Sequence, residues 1–83
     1  MRVTVKLYAT LGAYLPPGSQ GNKVDIEVAE AAAVDTVLRP FSLPPKLTHL
    51  VLVNGVFIPP EARAATCLKD GDTLAVWPPI AGG

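Results

Sequence analysis

One segment of this sequence has helical periodicity and five have the patterning of short strands, and that ratio forces a two-layer fold. Val34, Val37, Leu38 and Phe41 fall at i, i+3, i+4 and i+7, one face of a helix expected over residues 29–39. Ahead of it, residues 2–9 alternate, with Val3, Val5 and Leu7 on one side and Arg2, Thr4 and Lys6 on the other, as in a strand buried on one face. Residues 23–28 alternate again, with Val24, Ile26 and Val28 inward. Between them lie Pro16-Pro17-Gly18 and Gly21-Asn22, so the pair reads as an antiparallel hairpin across a loop. A single helix must cover one face of the sheet to build a core, which predicts an α+β sandwich.

The second half supplies the other strands. Leu50-Val51-Leu52-Val53 is an unbroken aliphatic run, followed by Asn54-Gly55 and the return strand Val56-Phe57-Ile58, which Pro59-Pro60 ends. Asn-Gly tolerates the positive φ that a type I′ turn needs at both central positions. Residues 61–68 read as irregular or a single helical turn with Leu68 tucked inward, Lys69-Asp70-Gly71-Asp72 as a turn, and residues 73–77 as the last strand. Pro40 disfavours helical geometry at Arg39 and is expected to stop the helix there. So short a helix is marginal alone and must be held by packing. A chain of 83 residues allows one small domain, burying only about 60% of its unfolded surface, and its 49% hydrophobic content supplies the core.

Composition removes several functions. Seven basic residues balance seven acidic ones without a run of either sign, so the concentrated basic face that nucleic acid requires is not expected, nor is a polybasic membrane anchor. No stretch approaches membrane-spanning length and the start lacks a signal peptide's apolar region, so a cytoplasmic protein is expected. Cys67 is the only cysteine, which excludes an internal disulfide and CxxC-type metal frameworks; beside Leu68 it reads as a small packing residue. His49 has no second ligand-type residue in view, Asp70 and Asp72 lack the rest of a calcium loop, and no bound metal is expected. No GxxxxGK[ST] loop is present, so ATP is not expected to bind here. Arg63 and Lys69 read as solvated charges. Phe57 is a candidate for an apolar docking patch.

The end of the sequence is its least ordinary part. After Trp77 it reads Pro78-Pro79-Ile80-Ala81-Gly82-Gly83. Proline has no amide to keep a strand paired, so a domain over residues 1–77 and a projecting tail over residues 78–83 are expected. Extended at roughly 3.3 Å per residue, that tail reaches about 20 Å. Gly82 and Gly83, without Cβ atoms, can thread a narrow channel, and the prolines lower the entropy lost on insertion. A passive tail is the plain alternative.

Val53-Asn54-Gly55, Leu68-Lys69-Asp70-Gly71-Asp72 and the closing Trp77-Pro78-Pro79-Ile80-Ala81-Gly82-Gly83 together resemble the β-grasp sulfur carriers of the MoaD/ThiS family, and the aromatic-Pro-Pro-aliphatic-Ala-Gly-Gly ending is more similar to the molybdopterin-synthase small subunit than to the thiamin carrier. The resemblance implies a ubiquitin-like fold: a mixed sheet with its first and last strands parallel at the centre and the helix across one face. It implies that a ubiquitin-activating-type (MoeB/ThiF-like) adenylyltransferase uses ATP to adenylate the Gly83 carboxylate, which a sulfur donor converts to a thiocarboxylate. Ile80, Ala81 and Gly82, with Pro78 and Pro79, would then insert into the large subunit of molybdopterin synthase or another sulfur-accepting enzyme; Trp77, by its own position at the tail's root, is expected to anchor the tail and to touch the partner. The protein is then a sulfur-donating subunit or cosubstrate rather than a stand-alone catalyst; carriers for thiamin or tRNA thiolation, and a β-grasp binding module that is never activated, are the alternatives. One departure stands out. Family helices commonly begin Gly-Ala-Thr, the Thr capping the helix, whereas Ala31-Ala32-Ala33 stands here, a loss of about 1 kcal/mol.

Overall fold

The computed structural model describes residues 1–79. Strands β1 (Arg2–Leu7), β2 (Lys23–Glu27), β3 (Leu50–Val53), β4 (Val56–Phe57) and β5 (Thr73–Trp77) accompany one α-helix, α1 (Val34–Leu38). They form a single sheet in the order β2-β1-β5-β3-β4. β1 and β5 pair in parallel, with Val5 beside Leu74, and every other pair is antiparallel. The sheet is therefore mixed, with the first and last strands at its centre, as the resemblance implies.

The alternation read from the sequence sets which face is buried. Val3, Val5 and Leu7 of β1, Leu74 and Val76 of β5 and Val51 of β3 are each at most 1% exposed. Against them pack Val34, Val37 and Leu38 of α1, with Phe41 just beyond it and Leu11 and Leu68 from the connections. Burying each such side chain stabilises by roughly 1.5–3 kcal/mol. A one-residue slip of register would turn every one of these residues to water. The Asn54-Gly55 turn has φ of 50° and 84°, both positive, as a type I′ turn requires.

The helix is where the structure departs most from the sequence-based expectation. Only five of the expected residues are α-helical. Ala33 is extended (φ −75°, ψ 158°), and the backbone on either side of it pairs with the segment before β5. The Val34 amide donates to the Thr66 carbonyl and the Leu68 amide to the Ala32 carbonyl, each at 2.9 Å. Alanine's helix propensity, a few tenths of a kcal/mol per residue, yields to these two bonds and to the burial of Leu68. Ala31 turns the chain into that bridge at φ 58°. At the other end Pro40 does not expel Arg39 from helical geometry: Arg39 has φ −54° and ψ −45°. The path tightens into a 3-10 turn over Arg39–Phe41 and stops at left-handed Ser42. Proline is tolerated there because it stands in the first residues of that turn, where its missing amide has no partner to lose.

Three smaller differences have equally local causes. The loop after β1 contains a 3-10 helix, Ala9–Tyr14, that buries Leu11. Cys67 is exposed, not a packing residue, because Leu68 takes the inward position beside it. Arg63 is 7% exposed and not a solvated charge. Its Nε donates to the Ile58 carbonyl at 3.4 Å, Nη1 to Thr48 at 3.3 Å and Nη2 to His49 at 3.2 Å. The guanidinium thus ties the segment after β4 to the entry of β3.

Candidate functional site

β5 lies in the middle of the sheet and is held on both sides almost to its last residue. The Tyr8 amide donates to the Val76 carbonyl at 3.1 Å and the His49 amide to the Trp77 carbonyl at 3.2 Å. The next residue has no amide to give. Pro78 is nonetheless buried, and Pro79 is the first exposed residue after the strand. Pro78, expected as the first residue of the tail, is thus packed against the domain. The sequence-predicted Ile80, Ala81, Gly82 and Gly83 lie outside the described residues.

The structure brings the two predicted docking residues, Phe57 and Trp77, to the same open face of the sheet. Cross-strand register makes the connection: Phe57 stands beside Leu52, Leu52 beside Ala75, and Leu50 beside Trp77. Neighbouring strands are about 4.8 Å apart, so Phe57 and Trp77 flank a patch on the order of 10 Å wide. Phe57 is 51% and Trp77 37% exposed. Trp77 lies flat on Tyr8, ring centroids 3.8 Å apart and planes 7° from parallel. This face-to-face contact holds the indole in one orientation at the root of the tail. Lys6 borders the patch, opposite Ala75 on β1.

Sequence reasoning missed Tyr8, Leu50 and Leu52 as parts of this surface. The signal was present in the unbroken run Leu50–Val53. A strand covered on one face should alternate apolar with polar. Val51 is buried under the helix layer, whereas Leu50 and Leu52 are only half-buried. Apolar residues at outward positions mark a face that something else covers.

The opposite end of β5 is braced by a polar cluster. The Asn54 side-chain amide donates to Asp72 Oδ1 and the Lys69 backbone amide to Asp72 Oδ2, both at 2.8 Å, while the Thr73 amide donates to Asn54 Oδ1 at 2.9 Å. The Lys69 amide first, then Asn54 and the Lys69 charge, hold the Asp72 carboxyl below the usual carboxylate range against the opposing effect of burial. Asp70 accepts the Arg2 amide at 2.7 Å. The Lys-Asp-Gly-Asp segment is thus a clasp that fixes where β5 starts. Among the described residues no group of three or more His, Cys, Asp or Glu side chains is placed to hold a metal ion, and no helix is long and apolar enough to cross a membrane.

Comparison with known proteins agrees with this architecture. The family profile described as the ThiS family matches residues 7–83. No curated protein sequence matches the chain. Among solved structures, SAMP1 from Haloferax volcanii is similar with a TM-score of 0.68 at 22% identity, over 100% of both chains. The thiamine biosynthesis protein ThiS from Geobacter metallireducens follows at 0.67 and 25%, again over 100% of both. A chain in the complex of subunits 1 and 2 of the molybdopterin-converting factor from Helicobacter pylori is similar at 0.64 and 18%, over 100% of both. The fold is the ubiquitin-like β-grasp.

Proposed function

This chain belongs to the ThiS family of β-grasp sulfur carriers, and from that premise we propose that its working group is the Gly83 carboxylate, used as in the small subunit of molybdopterin synthase. The observation that carries this reading is the anchoring of the strand that precedes the tail sequence. The central strand is bonded on one side as far as Val76 and on the other as far as Trp77, and the sequence beyond it is Pro-Pro-Ile-Ala-Gly-Gly. A rigid base with a narrow, side-chain-poor end suits delivery of a carboxylate into a partner's active site.

The chemistry proceeds in two displacements. A Gly83 carboxylate oxygen attacks the α-phosphorus of ATP on a MoeB/ThiF-like adenylyltransferase, and pyrophosphate leaves. Hydrosulfide-level sulfur then attacks the acyl carbon and AMP leaves with the electron pair, so a thiocarboxylate remains. The anhydride is needed because a carboxylate is a poor electrophile. The thiocarboxylate sulfur then attacks an electrophilic carbon of the pterin precursor held by the large subunit, and an oxygen leaving group departs with its electron pair. Water at the acyl carbon breaks the acyl carbon–sulfur bond, which restores the carboxylate and leaves the sulfur on the product as a thiolate. ATP is bound by the activating enzyme and the protein works in the cytoplasm, where that nucleotide is plentiful. The open-face patch of Leu50, Leu52, Phe57 and Trp77 supplies the apolar area for docking. A large-subunit partner is supported by the Helicobacter pylori neighbour, whose structure is a two-subunit complex. A thiamin-pathway carrier is the second reading, favoured by the full-length similarity to the Geobacter metallireducens protein.

Mass spectrometry of the intact protein and of its tail peptide tests this, after incubation with ATP, an activating enzyme and a sulfur source. The expected result is an ATP-dependent replacement of oxygen by sulfur, localised to Gly83 and reactive with a thiol-directed alkylator. Oxidation of Met1, Cys67 or Trp77 gives nearly the same nominal mass, so localisation is essential. An unmodified Gly83, with an activating enzyme proven on its own carrier, refutes the proposal in favour of a binding module. Sulfur transfer to a pterin precursor, or to a thiazole-forming enzyme, then separates the two pathways.

A further inference from the structure

The sheet has a second unpartnered feature, remote from the tail. β2 is an edge strand, and its bonding pattern shows which backbone groups are left over. Met1 and Val28 exchange bonds in both directions at 2.8 Å, and the Leu7 amide donates to the Asn22 carbonyl at 2.9 Å. The Thr4 amide points the other way, to the Asp72 carbonyl. In an antiparallel ladder these roles alternate. Val24, Ile26 and Val28 therefore bond to β1, while Asp25 and Glu27 turn their amides and carbonyls outward. Among the described residues those groups meet no backbone partner. Lys23 is already engaged with Gln20, at 3.0 and 3.1 Å, so the open stretch is centred on Ile26.

A groove runs directly beneath that edge. It has a volume of about 330 Å³ and lies between Ile26 and Val28 of β2, Val37 of α1, Phe41 and Tyr14. An added strand would place the residue opposite Ile26 on the same face as Ile26 and so into the groove. The residues on either side would lie on the open face, beside Asp25 and Glu27. Both of those are carboxylates and both are exposed. One Asp25 oxygen accepts from the Thr4 hydroxyl at 2.6 Å, and Glu27 has only long contacts, 3.8 Å, to the Met1 amine and Arg2.

From this geometry we propose that the β2 edge is a docking site for an extended basic–apolar–basic peptide segment, which joins the sheet as a sixth, antiparallel strand. The peptide's backbone exchanges bonds with Asp25 and Glu27, its apolar residue fills the groove, and its two cations pair with the carboxylates. A second copy of this chain does not fit. Antiparallel pairing of two β2 edges about Ile26 sets Asp25 opposite Glu27 twice, and like charges directly opposite are destabilising. The same carboxylates that guard the edge against self-association select a cationic partner. β1 separates this edge from the docking patch, which spans Trp77 of β5 with β3 and β4, so both surfaces can be occupied together.

The test is amide NMR of the full chain titrated with an acetylated, amidated octapeptide of alternating lysine and valine. Saturable shifts at residues 24–28 and at Val37 and Phe41 are expected, with exchange of the Asp25 and Glu27 amides slowed at least ten-fold. An octapeptide of alternating glutamate and valine should bind at least ten-fold more weakly, as should the lysine peptide to the variant carrying Asp25→Lys and Glu27→Lys. Both substitutions are at exposed positions, but Glu27→Lys sets a cation opposite Arg2, so circular dichroism must show the parent's fold before affinities are compared. Deleting Gly83 should leave the affinity unchanged, which keeps this proposal separate from the sulfur-carrier reading. Absence of saturable shifts, equal binding of the acidic peptide, or shifts confined to Leu52 and Phe57 on the open face would each overturn it.

Discussion

The start of α1 combines two unfavourable features, and repairing them should stabilise the protein by a predictable amount. Ala31 is held at φ 58°, a left-handed conformation that for a residue with a Cβ costs roughly 1–2 kcal/mol. Glycine removes that strain but loses more chain entropy on folding, about 0.5–1 kcal/mol. Ala31→Gly should therefore yield a net gain of about 0.5–1 kcal/mol. Ala33 is the N-cap and makes no side-chain bond. In the first turn Val34 donates to Thr66, Asp35 to Arg63 and Val37 to Ala33. The Thr36 amide, at the third helical position, has no acceptor among the described residues. That is the amide an N-cap hydroxyl accepts from, so Ala33→Ser should add about 1 kcal/mol. The two together, about 1.5–2 kcal/mol, correspond to a rise in Tm on the order of 10 °C for a domain this small. Urea and thermal unfolding followed by circular dichroism measure the gain, and hydrogen exchange at Thr36 reports on the cap itself. An Ala31→Gly protein no more stable than its parent, or an Ala33→Ser protein whose Thr36 amide exchanges as before, would refute the reasoning.

Other expectations follow from single side chains. Because the folded Asp72 carboxyl lies below its ordinary value, its contribution is complete above the unfolded pKa, about 4, and is lost as pH falls through the folded value. Asp72→Asn should accordingly be about 1–3 kcal/mol less stable near pH 7, with the gap to the parent closing in acid; a gap independent of pH would contradict this. Arg63→Met keeps the bulk but leaves the Ile58, Thr48 and His49 carbonyls without their donor, and should cost about 2–3 kcal/mol in urea unfolding. Arg63→Lys should recover part of that, since an ammonium cannot span three acceptors at once. Leu52→Ser, on the open face, should change stability by less than about 1 kcal/mol yet weaken binding to the activating enzyme at least ten-fold, read by calorimetry; unchanged binding would remove the patch from the docking surface.

How much of this was legible in advance depended on the range of the forces involved. The period-two runs in β1 and β2, the Asn54-Gly55 turn and the bounds of β5 were readable because pleat and turn chemistry act between residues close in sequence. The proposed docking surface was only half readable. Phe57 and Trp77 are visible as apolar residues at strand ends, but their joining through Leu50 and Leu52 depends on the pairing of β3 with both β4 and β5. Tyr8 carries no local sign that it will stack on a residue sixty-nine positions away (77 − 8).

The sequence by itself determined the strand periodicities, the two-layer class, the family and the Pro-Pro-Ile-Ala-Gly-Gly ending, since each is written in side-chain order along a short stretch. Tertiary structure decided the rest. Residues 29–33 have good helix formers yet leave the helix, because backbone bonds to Thr66 and Leu68 outweigh a weak local preference. Arg63 reads as a surface charge yet is buried, because three carbonyls converge on it, two of them from the entry of β3. Local propensity amounts to tenths of a kcal/mol per residue, whereas a satisfied buried hydrogen bond or a filled core position contributes about one or more. Where the two conflict, contacts between residues far apart in the chain prevail.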